Sequence, residues 1–203
     1  MSCANRIACR LLVIWACLLV FAHPAHGQTH GAEDTLDLIT QGADLQYQGR
    51  HVEAEAIFAE VLALEPNNVY VLNRMALACT VQGKLVQAGE LFYSVLTLEP
   101  DNGFARLWSG VLLLAQDKPD QALAAFQYVL EQDPSNVDAC YFMGVVHSVE
   151  NNTAQALHWL KKAQALGSDD PATHWRLARA FAGLGMSANA RLELELALEL
   201  DPD

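Results

Sequence analysis

Proline recurs at Pro66, Pro100, Pro134 and Pro202, with Ser168 in the one place where the series skips. The period is about 34 residues, the signature of stacked helix-turn-helix units. A unit that short cannot bury its apolar face alone, so it packs on its neighbours. The other columns keep the same register. An alanine recurs at Ala54, Ala88, Ala122, Ala156 and Ala190. A small residue recurs at Gly42, Ala76, Gly110, Gly144 and Ala178, and a large apolar one at Phe58, Phe92, Phe126, Leu160 and Leu194. Three residues further on stand Val61, Val95, Val129, Ala163 and Ala197. The small residues let two helices approach closely, and the large ones fill the space that remains. A chain built this way favours an interaction role over an enzymatic one.

On these columns the chain resembles the tetratricopeptide repeat (TPR) family across 35–203, with units reading 35–68, 69–102, 103–136, 137–170 and 171–203. The resemblance implies an all-α, right-handed α-solenoid of five helix-turn-helix repeats. Two columns depart from the family. Where it often has tryptophan, this chain has Leu38, Leu72, Arg106, Cys140 and His174. Where it often has tyrosine, the chain has Leu45, Cys79, Leu113, His147 and Phe181. The fourth unit diverges most, with Ser168 for proline and Asn151 where three other units have glycine. These departures bear on local packing and leave the architecture as it is. The run Arg191 to Leu200 alternates in a way that alone suggests a strand, but the repeat register makes it a helix.

Residues 1–27 read differently. Arg6 and Arg10 precede an apolar run from Leu11 to Ala22, too short for the roughly 20 residues of a spanning helix and suited to a signal-peptide core. Pro24 follows, and Ala25-His26-Gly27 supplies small residues for cleavage between Gly27 and Gln28. The expectation is export to a bacterial periplasm with 1–27 removed. The alternative is a membrane-anchored chain facing the periplasm. Residues 28–34 then form a short polar tail ahead of the 35–203 repeat domain.

Charge limits the partners. The chain has 12 basic and 24 acidic residues, a formal net of −12. Loss of Arg6 and Arg10 leaves 10 basic residues against the 24 acidic ones, a net of −14. Nucleic acid and anionic membrane surfaces need basic patches, so both are excluded as partners. Cys3, Cys9 and Cys17 leave with the signal. Cys79 and Cys140 stand a whole unit apart, further than the roughly 7 Å a disulfide spans, and read as buried free thiols.

No catalytic signature is present. The chain has no glycine-rich phosphate loop, no His-Glu-x-x-His, no paired cysteine ligands and no Gly-x-Ser-x-Gly. No cofactor and no metal site is expected. His147 and His174 fall in packing columns, where a hydrogen-bonded core histidine is the natural reading. His51 and His158 read as surface residues of second helices.

Resemblance to the family implies that the first helices line a concave groove that takes extended or helical peptides. The residues of those helices outside the packing columns are Leu36, Ile39, Ala43 and Tyr47; Tyr70, Asn73 and Leu77; Phe104, Leu107, Val111 and Leu114; Tyr141 and Val145; Trp175 and Arg179. This surface is apolar and aromatic, with few charges. The family's carboxylate-clamp members place lysine, arginine and asparagine there. Ile39 and Ala43, Asn73 and Leu77, Leu107 and Val111 stand in their stead, so the expected ligand is an apolar peptide or helix. The function implied is a protein-binding adaptor, within a membrane-associated envelope complex as one setting. A second reading is self-assembly. In the last helix Leu192, Leu196 and Leu200 form one stripe at intervals of four, with Leu194 and Leu198 expected to point inward. That stripe is the expected homodimer face.

Overall fold

The computed structural model describes residues 32–201. The expected signal sequence 1–27, its cleavage point and tail residues 28–31 lie outside the described residues. The chain divides into two units, 1–35 and 36–203. Of the first, only the opening turn of a helix is described. The second carries the repeats.

The described residues contain ten α-helices and no strand. The first helices of the five repeats are α1 (Ala32–Tyr47), α3 (Val69–Val81), α5 (Gly103–Ala115), α7 (Val137–Val149) and α9 (Pro171–Gly183). The second helices are α2 (His51–Leu64), α4 (Leu85–Leu98), α6 (Pro119–Gln132), α8 (Thr153–Leu166) and α10 (Ser187–Leu200). The alternating run at 191–200 is helical within α10, as the register requires. Helix α1 begins at Ala32, so the last three residues of the expected tail are helical. Ala32 is the best of helix formers, and Glu33 and Asp34 favour a first turn. No helix among the described residues is long and apolar enough to cross a membrane.

Local chemistry sets the boundaries. Asn68, Asn102 and Asn136 cap α3, α5 and α7, each side-chain oxygen accepting from the backbone N–H three residues on, at 3.1, 2.9 and 2.9 Å. Asp170 caps α9 by accepting from the N–H groups of Ala172 and Thr173. The Asn68 and Asn102 amides in turn donate to Glu65 and Glu99, both at 2.8 Å, which fixes the turns around Pro66 and Pro100. The turn inside each repeat needs one residue at positive φ. Gly49, Gly83 and Gly185 supply it at 74–75°. Asp117 and Asn151 do so at 58°, and their short polar side chains make them the non-glycine residues best suited to that region.

Packing follows the columns. Ala54, Ala88, Ala122 and Ala156 are fully buried, as are Phe58, Phe92, Phe126 and Leu160. The small residue on each first helix meets the large one on its partner. A Cβ built on Gly42 would stand 2.5 Å from Phe58, on Gly110 2.6 Å from Phe126 and on Gly144 2.7 Å from Leu160. Carbon atoms prefer about 3.5–4.0 Å, so the glycine is what admits the ring or the leucine. Burying each large side chain contributes about 1.5–3 kcal/mol. In the last repeat the contact loosens, because Leu194 is only half-buried.

Second helices pack on the first helix of the next repeat all along the stack. In addition α3 touches α5, α5 touches α7 and α7 touches α9, whereas no second helix touches the next second helix among the described residues. The stack is therefore tighter on the first-helix side, and that side is the concave one. Gly110→Val should cost about 1–3 kcal/mol by overpacking against Phe126, read as a lower urea midpoint. Asp117→Gly, which relieves a left-handed aspartate, should raise the midpoint.

Candidate functional site

The first helices present a connected run of rings. Phe104 lies 6.4 Å from Phe92 and 6.1 Å from Trp108, centroid to centroid. Trp108 reaches Phe142 at 6.5 Å, and Phe142 meets Tyr141 edge-on at 5.1 Å. Such pairs hold one another at fixed angles and each adds about 0.5–1.5 kcal/mol beyond simple burial. Phe92 belongs to the second helix α4 and is fully buried, so on the first helices the run from Phe104 to Tyr141 joins the third and fourth repeats. Trp175, exposed on α9, extends the apolar surface into the fifth repeat.

The structure sorts the expected groove residues by exposure. Leu36, Tyr47, Tyr70, Phe104, Trp175 and Arg179 are exposed. Ile39, Ala43, Asn73, Leu77, Val111, Leu114, Tyr141 and Val145 are half-buried. Leu107 departs from expectation. It is 4 % exposed and packs in the core cluster of Phe126, Val129, Ala139 and Met143. The bulky Phe104 and Trp108 on either side of it reach the surface instead.

Two side chains on this surface escaped the sequence reading. Trp108 and Arg74 occupy the same column, one position past that of Asn73 and Leu107. Both line a cleft of about 330 Å³ together with Gln46, Tyr47, His51, Leu77 and Val81. The Gln46 amide donates to the Arg74 carbonyl at 2.8 Å, tying α1 to α3. The Arg74 guanidinium sits 5.8 Å from the centre of the Tyr70 ring. Among the described residues the buried Gln46 Oε1, His51 Nδ1, Asn73 Oδ1 and Arg74 Nε have no hydrogen-bond partner. The signal available in the sequence was that Arg74 is the single charge of α3.

At the other end, the Arg176 guanidinium lies 5.6 Å from the centre of the Tyr141 ring and pairs with Asp138 and Asp170. Burial pushes the Tyr141 hydroxyl above its usual range, against the opposing pull of Arg179 and Arg176.

The fifth repeat holds a buried polar cluster. His174 is 2 % exposed and Glu193 1 %. His174 Nδ1 lies 2.7 Å from a Glu193 carboxylate oxygen, and Nε2 lies 3.0 Å from the Ser168 carbonyl. The Gln164 amide donates to the other Glu193 oxygen. A carbonyl only accepts, so Nε2 carries a proton. With a carboxylate facing Nδ1, the arrangement is that of an imidazolium–carboxylate pair. Burial alone would lower the His174 pKa. The hydrogen bonds to Ser168 and Glu193, with the charges of Glu193 and Asp170, raise it above its ordinary value. The expectation of a hydrogen-bonded core histidine is met. Its partner was overlooked: Glu193 stands where other repeats have Ile57, Leu91, Ala125 and Trp159. His147 makes a more open pair with Glu150 at 3.0 Å. Among the described residues no group of three metal-ligating side chains forms.

On α10, Ala190, Glu193 and Ala197 face inward. Leu192 and Leu200 are exposed and Leu196 is half-buried. Leu198, expected to point inward, is 55 % exposed. The buried face runs through 190, 193 and 197, and Leu198 lies beyond its edge.

Three family models, each described as tetratricopeptide repeat, match residues 39–103, 113–172 and 171–203. The chain belongs to the tetratricopeptide repeat family. No curated protein sequence matches it significantly. Among solved structures it is similar to a thermophilic TPR protein of Thermus thermophilus, with 22% identity and a TM-score of 0.76 over 83% of this chain and 92% of that one. It is also similar to a TPR protein from Parabacteroides merdae, at 19% identity and a TM-score of 0.68, covering 87% of this chain and 67% of the other. MamA from Desulfovibrio magneticus RS-1 matches at 22% identity and a TM-score of 0.59, over 83% of this chain and 96% of its own. At these identities the likeness is one of fold. The TPR fold is a protein-interaction module.

The polar cluster yields a test. His174→Leu or Glu193→Leu alone strands one buried partner and should cost about 3–5 kcal/mol. The double change recreates the apolar pair Leu72 and Leu91 of the second repeat and should recover most of that loss. A raised histidine pKa also sets a pH dependence. The pair's stabilisation is complete below the ordinary value of 6.5 and is lost as pH rises through the raised one. Urea unfolding of the native chain between pH 6 and 9 should show this decline, and the double variant should lack it.

Proposed function

We propose that the chain is a non-enzymatic adaptor of the bacterial periplasm that holds an apolar peptide or helix against its first helices. One observation carries this: the ring run from Phe104 to Tyr141 stays partly open to solvent on the concave side of the stack. Large apolar patches left open on a soluble chain mark contact sites. Aromatic anchors at the centre of such a surface carry most of the binding energy. The arginines and apolar core of the N-terminal segment support export.

Tyr70→Ala with Trp175→Ala removes two exposed rings that the core does not need. The double variant should keep its far-ultraviolet circular dichroism and lose at least tenfold in capture of the partner retained by the native chain from the envelope fraction. Unchanged capture would place the binding surface elsewhere. Protein recovered from the host envelope should begin at Gln28. A chain starting at Met1 and fixed in the membrane would favour the anchored alternative.

The exposed Leu192, Leu198 and Leu200 of α10 favour a second reading, contact with another copy of the chain through this helix. Light scattering at micromolar concentration should then give a dimer mass that Leu192→Glu halves. A monomeric native chain would refute it.

A further inference from the structure

The concave surface is less neutral than its apolar character suggests. In a chain with twice as many acidic as basic residues, the charges on α3, α5, α7 and α9 are Arg74, Arg106, Arg176 and Arg179 against Asp138 alone. Most of the remaining carboxylates lie on the second helices and in the turns between helices. Helix α1 is acidic too, with Asp37 and Asp44, so the sign changes between the first repeat and the second.

These arginines are not equivalent. Arg106 turns away to the Pro100 carbonyl and the Tyr128 ring. Arg176 is neutralised by Asp138 and Asp170. Among the described residues no carboxylate lies within ion-pair distance of Arg74 or Arg179. Arg74 lines the cleft beside Leu77 and Trp108. Arg179 stands exposed on α9, the first helix of the repeat after Tyr141. Arg74, half-buried beside apolar side chains, and the exposed Arg179 can each bind a carboxylate by two parallel hydrogen bonds.

We propose that the ligand of this groove is a polypeptide segment with an apolar face and acidic groups toward both ends, pairing with Arg74 in the second repeat and Arg179 in the fifth. The inference rests on the groove reading above. A polyanion such as nucleic acid fits poorly, because the acidic second helices and α1 repel a continuous line of charge. An acidic amphipathic segment satisfies the rings and the two arginines together.

The test uses two synthetic amphipathic peptides with the same leucines and phenylalanines, one with glutamate near each end and one with glutamine at the same positions. Fluorescence anisotropy with the full chain should show the glutamate peptide binding at least tenfold more tightly at low salt. That advantage should shrink as salt screens the pairs. Arg74→Gln with Arg179→Gln should abolish the preference, so that the variant binds the two peptides equally. Equal binding of both peptides by the native chain overturns the charge inference and leaves the groove reading standing. Binding of neither overturns both. The comparison of peptides on the native chain decides the matter even where a variant folds poorly.

Discussion

The close approach of two helices inside each repeat is the constraint on which the rest depends. It needs a residue with little or no side chain on one helix and a large apolar one opposite. Gly42 with Phe58, Gly110 with Phe126 and Gly144 with Leu160 meet that need at distances no Cβ would allow. Once these contacts lock the pairs, each intra-repeat turn must reverse the chain within a few residues. The positive φ at residues 49, 83, 117, 151 and 185 follows from that demand. The remaining apolar surface of each first helix lies beside the second helix of the preceding repeat and the neighbouring first helices. That leaves one row of side chains, Phe104 and Trp108 among them, partly uncovered.

Much of this was legible in the sequence, because the repeat multiplies every signal by five. The alanine, glycine and phenylalanine columns, the asparagine caps and the proline turns each recur, and recurrence at 34 residues has no other simple cause. Facing is harder to read than period. One residue is about 100° of rotation on a helix, so an error of one position moves a side chain from solvent to core. Leu107 shows it. Its column holds half-buried Ile39, Asn73 and Tyr141 in other repeats, yet here Phe104 and Trp108 crowd the surface and Leu107 sinks between them. Arg74 and Trp108, in the adjacent column, were missed for the same reason. Leu198 failed differently. The inward face of α10 is set by Glu193, a residue that composition alone assigns to solvent.

Glu193 and His174 depart together from apolar columns of the same repeat. A lone buried charge there would be expensive, whereas a matched pair is tolerated. The pair also ties four places together: the 167–170 turn through Ser168, α8 through Gln164, α9 through His174 and α10 through Glu193. Earlier turns are held by local contacts such as Glu65 with Asn68. In the turn lacking the recurrent proline, a longer-range polar tie spans the junction.

Charge follows the same division of labour between the two kinds of helix. Outer helices face water whatever the chain binds, so acidic residues there keep the array soluble and hold copies apart. First helices pack on a neighbour at both sides of the stack, which leaves few positions for charge. The charges that do occur on α3 and α9 are therefore informative beyond their number. A guanidinium among rings is less heavily hydrated than an ammonium and keeps contact with their faces while its donors remain available. Arg74 beside Tyr70 has this arrangement at one end of the ring run; at the other, Arg176 keeps the Tyr141 face but gives its donors to Asp138 and Asp170, and Arg179 stands exposed on α9. The rings between them supply area without direction. In the proposed mode of binding, Arg74 and Arg179 would give the groove a register, because a ligand that slides along the rings would lose its ion pairs before it lost its apolar contact.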